Sequence, residues 1–228
     1  KEGHILIDGG TDAGADVIVE NIKDLGFSLK DVKLLLNSHE HFDHVAGLAK
    51  LQKLSGARLL ASSAAEPVIT TGIVSDIDPQ AGMHEPFPAA RVDGILQDGE
   101  VVTLGTLALT PIATPGHTHG ALSWQWQSCK NNQCLSIVYA DSLSPISTDS
   151  YHFSDHPDYV SAYKDGLSKL AELDCQILLA PHPSASKMRD RLSSPEGLID
   201  PQACKIYAGE VLKRLTKRLI KEQEEKVQ

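Results

Sequence analysis

Asn37-Ser38-His39-Glu40-His41-Phe42-Asp43-His44 is the stretch that decides the fold. Before it runs Val32-Lys33-Leu34-Leu35-Leu36, an apolar run of strand length. After it, Val45–Leu54 has helical spacing and stops at Gly56. Three imidazoles and a carboxylate therefore crowd one tight turn between a buried strand and a helix. A single tetrahedral zinc does not take that many ligands from one loop, and the excess predicts two metal ions. The bland alternative is a solvated polar turn, against which the clustering of imidazole and carboxylate ligands weighs.

Outward from this turn, the N-terminal side opens abruptly. Ile5-Leu6-Ile7-Asp8-Gly9-Gly10, a strand and a glycine turn, reads like the interior of a domain, so earlier strands and an export signal are expected to be missing. A helix over 12–25 follows, with Val17, Ile18, Ile22 and Leu25 on one face and Gly26 as its stop. On the C-terminal side, 57–62 reads as a strand and 63–69 as a short helix. The stretch 71–90 holds Gly72, Pro79, Gly82, Pro86 and Pro88 without a period, an irregular excursion of the kind that is usually functional or mobile. Strand patterns return at 92–96, 100–104 and 107–113. A helix over 159–173 starts behind Ser154-Asp155-His156-Pro157, a strand covers 176–180, and a last helix over 201–225 sets Ile206, Val211, Leu215 and Leu219 near one face.

Composition bounds the function. With 228 residues, 41% hydrophobic and 22% charged, the chain suits one domain over 1–228 with a substantial core. A net charge of −9 does not suggest the basic face that nucleic acid requires. No run approaches the roughly 20 apolar residues of a membrane span. A monomer acting on a small molecule is expected.

The four cysteines divide by position into two pairs. Cys129 and Cys134 bracket Lys130-Asn131-Asn132-Gln133 between two strand-like runs, a hairpin clipped near its turn. Cys175 precedes a strand and Cys204 begins the last helix. Such disulfides would stabilise by about 2 and about 3.5 kcal/mol respectively on the chain-entropy model. They would place the protein in an oxidising compartment, whereas four free thiols would place it in the cytosol.

Two further histidines stand at strand ends, His117 in Thr114-Pro115-Gly116-His117-Thr118 and His182 in Ala180-Pro181-His182-Pro183. With His-x-His-x-Asp-His they make a pattern that resembles the metallo-β-lactamase superfamily. The full first motif, Gly-His-Thr followed by Leu122-Ser123-Trp124-Gln125-Trp126, Tyr139-Ala140-Asp141-Ser142-Leu143-Ser144, and Pro-His-Pro before Ser184-Ala185-Ser186 look like its di-zinc subclass B3. The cysteine that ligates zinc near residue 142 in other subclasses is lacking, and both cysteine pairs match disulfides of some B3 members.

That resemblance implies an α/β fold, a four-layer αββα sandwich. It implies one zinc on His39, His41 and His117 and a second on Asp43, His44 and His182, each with an open position. A shared hydroxide would attack a β-lactam carbonyl without an acyl-enzyme. Ser142 and Ser144 would meet the substrate carboxylate, Gln80 would contact substrate from the irregular loop, and the enzyme would be periplasmic or secreted. His119 is expected at the rim. His4, His84, His152 and His156 lack such context. The rival within the superfamily is a thioester, lactone or phosphodiester hydrolase with Asp141 bridging both metals; the other reading of Asp141 is an outer carboxylate orienting a histidine. A non-catalytic metal-binding module is the rival of another class, disfavoured because structural zinc sites are closed.

Overall fold

Leu34 and Leu36 of the strand before the histidine turn point one way, and Leu35 points the other. Leu34 and Leu36 pack with Leu60, Leu96, Leu109 and Trp124. Leu35 packs with Leu48, Leu51, Leu59 and Ile69. A strand buried on both faces needs apolar residues at consecutive positions, which is why this one reads as an unbroken run rather than an alternation.

The computed structural model describes residues 2–226. Strands β1 (His4–Ile7), β2 (Val32–Leu36), β3 (Arg58–Ser62) and β4 (Gly94–Leu96) form a four-stranded parallel sheet in that order. Strands β5 (Val102–Leu104), β6 (Leu107–Ala113), β7 (Leu122–Lys130) and β8 (Gln133–Tyr139) are antiparallel, and β9 (Ile177–Leu179) joins β8 in parallel to complete a second sheet. Helices α1 (Gly14–Asp24), α2 (Phe42–Val45), α3 (Leu48–Ser55) and α4 (Glu66–Thr71) belong to the first half. Helices α5 (Pro157–Glu172), α6 (Met188–Leu192) and α7 (Ala203–Glu225) belong to the second.

Three cores define the layers. One joins the first sheet to α1, α3 and α4, one lies between the sheets around Trp124, and one joins the second sheet to α5 and α7 through Val138, Leu178, Tyr163, Leu170, Val211 and Leu215. Helix, sheet, sheet, helix is the expected αββα order. Among the described residues, no helix is long and apolar enough to cross a membrane.

The cysteine pairs form as expected, Cys129–Cys134 across the β7–β8 hairpin and Cys175–Cys204 between the start of β9 and α7. Local detail departs from the sequence reading in four places. The helix after the histidine turn is broken into α2 and α3, because Gly47 docks against the first glycine turn: a Cβ there would meet the Gly9 carbonyl at 2.2 Å. On α1 the buried face is Ala15, Ile18 and Ile22, while Val17 and Leu25 face solvent. On α7, Ile206 faces outward and Tyr207 takes the core position. The short α6 has no counterpart in the sequence reading.

Candidate metal centre

The histidine turn is fixed to its surroundings by main-chain bonds on both sides. Ser38 N–H donates to Asp8 Oδ1 (2.6 Å), and Leu122 N–H donates to the Ser38 carbonyl (2.7 Å). Trp124 Nε1 donates to the Asn37 carbonyl (3.0 Å). Glu40, the residue between the first two histidines, turns away from them and accepts from Thr118 Oγ1 (2.7 Å) and Gly120 N–H (2.9 Å). Glu40 thus ties the first loop to the one carrying His117. Burial raises its carboxyl to about 7 despite those two donors.

Each buried imidazole has one ring nitrogen engaged by the scaffold. His39 Nδ1 lies 2.7 Å from Asp141 Oδ1, His41 Nε2 3.2 Å from Asp78 Oδ1, and His44 Nδ1 3.1 Å from Asp8 Oδ2. His117 Nδ1 donates to the Ser144 carbonyl at 2.8 Å. Partners of this kind set the tautomer and aim the opposite nitrogen. His39, His41 and His117 each offer a ligand atom within 4.8 Å of the others, and His39 stands in the same relation to Asp43 and His44. His182 Nε2 lies 3.2 Å from His44 Nε2 and 3.5 Å from Asp43 Oδ2, which in turn is 3.4 Å from His44 Nε2. The structure therefore brings together all six expected ligands. His182 is the exposed member, with 49% of its side chain accessible.

These residues fit a metal. His39 Nε2 is buried without a hydrogen-bond partner, an arrangement costly for a polar atom unless something else occupies it. Burial, reinforced by the neighbouring imidazoles, holds His39 well below the ordinary histidine range, and burial lowers His117 as well. Shifts in that direction favour the neutral imidazole, the form that ligates. His44 goes the other way: burial opposes its charge, but Asp8 and Asp43 override that and raise it to about 10. Asp43 is held low for the complementary reason, His44 outweighing burial.

The residues expected at the substrate divide. Gln80 is buried, with Nε2 3.4 Å from His117 Nε2. Ser142 Oγ is buried and unpartnered, and the Ser142 carbonyl accepts from Tyr207 Oη (2.7 Å). Ser144 is half-buried, its hydroxyl 3.4 Å from the Ser142 carbonyl. Asp141 is fully buried, its Oδ1 directed to His39. His119 stacks on Tyr159 with ring centroids 4.1 Å apart. His84 is exposed yet packs on Phe42 at 4.5 Å and stands 6.4 Å from the His41 ring, closer to the site than the sequence suggested. His4 pairs with Phe27, His156 with Tyr151, and His152 lies 3.9 Å from Asp155, all without ligand partners. Sequence reasoning missed Asp8 and Asp78. Asp8 follows a strand directly and precedes two glycines, a position that signals a strand-end turn; Asp78 carries no local signal.

A sequence model of the metallo-β-lactamase superfamily matches residues 1–131, more than half of the chain. The chain belongs to the metallo-β-lactamase superfamily. Among solved structures it is similar to the MIM-2 metallo-β-lactamase, at 55% identity and a TM-score of 0.93 over 97% of this chain and 82% of that one. It is also similar to MEM-A1, a subclass B3 metallo-β-lactamase from a soil metagenome library, at 44% identity and a TM-score of 0.91 over 98% of this chain and 88% of that one. A hydroxyacylglutathione hydrolase from Bradyrhizobium sp. (strain ORS 278) is 28% identical over 221 residues, covering 92% of this chain and 72% of the relative. Superfamily membership makes the protein a metallo-hydrolase. The names of these three relatives divide between a β-lactam and a hydroxyacylglutathione.

Proposed function

We propose that this metallo-hydrolase is a di-zinc β-lactamase of the B3 kind, acting in the periplasm or outside the cell. The observation that carries the reading is the engagement of Asp141. Its carboxylate is buried and bonded to His39 Nδ1 at 2.7 Å, on the outer side of the ring. A thioesterase-type centre with Asp141 bridging two ions would require that contact to break. The likeness to a subclass B3 enzyme at 44% identity and to the MIM-2 metallo-β-lactamase at 55% supports the same choice, and the two disulfides support an oxidising compartment.

In this reading His39, His41 and His117 hold one zinc, and Asp43, His44 and His182 hold the other. Bound there, zinc supplies a Lewis acid and a hydroxide at neutral pH. The chain's own part is placement. Asp141, Asp78, Asp8 and the Ser144 carbonyl hold the imidazoles in register, so the charge that stabilises a forming oxyanion is placed before reaction. Gln80 lies against His117, where it can meet the substrate, and Ser144 is the accessible hydroxyl for a substrate carboxylate. Nucleophilic serine chemistry has no foothold at Ser142, whose hydroxyl has no hydrogen-bonded base, and all four cysteines are in disulfides.

The deciding assay is hydrolysis of a penicillin, a cephalosporin and a carbapenem by zinc-reconstituted protein, beside a hydroxyacylglutathione thioester and a lactone. Opening of the β-lactams, abolished by chelator and restored by zinc, is expected. Cleavage of the thioester with no β-lactam turnover would overturn the reading and make Asp141 the bridging residue to test.

A further inference from the structure

Three of the four buried imidazoles are engaged by residues of the sheets and their strand ends: Asp8 follows β1, while Asp141 and Ser144 follow β8. His41 is the exception. Its Nε2 meets Asp78, which lies in the irregular segment 72–91 between α4 and β4.

That segment touches the protein in an uneven way. Ile73, Ile77 and Met83 are 58%, 63% and 46% exposed, whereas Asp78, Pro79 and Gln80 are buried. These three anchor it at the metal site, whereas Gly72 and Ala90 tie its ends to α4 and Arg91 pairs with Gln52 of α3. Asp78 Oδ1 accepts from Gln80 N–H at 2.7 Å while facing His41, the Pro79 carbonyl accepts from Thr148 N–H at 2.9 Å, and Gln80 Nε2 reaches His117 at 3.4 Å. One carboxylate oxygen thus closes the loop's own turn and engages a metal-site histidine. Two of the three residues of the first ligand set are touched by this segment, and both contacts come from Asp78-Pro79-Gln80.

We infer that Asp78 is a positioning residue that links the 72–91 loop to the first ligand set, so that metal binding at His39, His41 and His117 and closure of this loop over the site favour one another. Coupling of this kind is reciprocal: whatever the loop contributes to metal affinity, metal contributes to loop order. The Asp78 carboxylate fixes the His41 tautomer that leaves Nδ1 free to ligate, and a fixed His41 gives Asp78 the partner that makes its burial tolerable. The inference rests on the metal-hydrolase reading but not on the choice of substrate.

The test uses Zn2+ alone with wild type, Asp78→Ala and Asp78→Asn, each checked for fold by circular dichroism and melting. Zinc affinity of the two sites is read by chelator competition, and loop order by hydrogen exchange of residues 73–84 with and without zinc. For Asp78→Ala the expected result is a loss of about 10–100-fold in affinity at one site with the other kept, and loss of the zinc-dependent protection of the loop. Asp78→Asn, which keeps an acceptor oxygen for His41, should recover most of both. Wild-type affinity at both sites in a folded Asp78→Ala protein, or loop exchange that ignores zinc in wild type, would overturn the inference. Wild type that binds two zinc ions with the expected coupling and yet spares every β-lactam would leave it standing and remove only the β-lactamase reading.

Discussion

Asp141 Oδ1 and His39 Nδ1 stand 2.7 Å apart with both side chains sealed from solvent. The contact leaves His39 with Nε2 for ligation, and on the proposed β-lactamase reading Asp141 orients that ring.

Asp141→Ala should therefore leave Nδ1 of a buried imidazole with only the longer contact to Ser38 Oγ at 3.3 Å. A cost of about 1–3 kcal/mol in stability is expected, with zinc affinity lower by about 10–100-fold. Asp141→Asn retains an acceptor and should fall between. Urea unfolding and chelator competition measure the two effects. Unchanged zinc affinity in the alanine protein would remove the orienting role.

Gly116 offers a sharper geometric test. Its φ is +152°, and a Cβ there would lie 2.3 Å from the Tyr163 ring. Tyr163 is wholly buried and its hydroxyl donates to the Leu143 carbonyl, so the ring has nowhere to retreat. Gly116→Ala should destabilise by about 1–3 kcal/mol and displace His117 next to it. Thermal melting, with zinc stoichiometry measured alongside, checks this.

How far could the sequence be read? His39, His41, Asp43 and His44 are close along the chain, and His117 and His182 each follow an apolar run, so local pattern marked all six of the candidate ligands that the fold brings together. The cysteines lie at a hairpin and a helix start, which local pattern also marks. Asp78 sits where no period exists, and Asp8 acquires its meaning from Ser38, His44 and Tyr139, 30, 36 and 131 residues away. Ile206 was misplaced because α7 gives its inward position to Tyr207, an aromatic whose hydroxyl reaches the Ser142 carbonyl. Periodicity reports which residues are apolar, and it missed an amphipathic one needed inside.

Glu222 gives a pH dependence far from the imidazoles. Burial opposes its charge, but Arg218 Nε at 2.5 Å and Ser154 N–H at 2.8 Å override burial and hold its carboxyl below the ordinary glutamate range. A carboxyl lowered on folding stabilises above its unfolded value and loses that contribution as pH falls through the folded one. Glu222→Gln should cost about 2 kcal/mol at pH 7, and the gap from wild type should close below about pH 4.5. Denaturation curves taken from pH 7 to pH 3 would show whether the two proteins converge.

The disulfides predict unequal effects. Cys175–Cys204 closes a separation of 29 residues and Cys129–Cys134 one of 5. Double alanine replacement should cost about 3.5 kcal/mol at the first pair and about 2 at the second on the chain-entropy model. Equal losses in urea would show that the hairpin clip contributes through strand pairing as well as loop closure.

Glu40 reaches from the first half of the chain to Thr118 and Gly120, Asp8 to Tyr139, Asn37 to Trp124, and Asp141 back to His39. The bonds that align the ligands are the bonds that sew the two sheets together. Substitutions among these residues strike folding and chemistry at once, which leaves little room for gradual change there. The outward side chains of the 72–91 loop, Ile73, Ile77 and Met83, are not sewn in this way. A lineage adapting to new substrates would find its tolerated variation at that fringe, with the seam held constant.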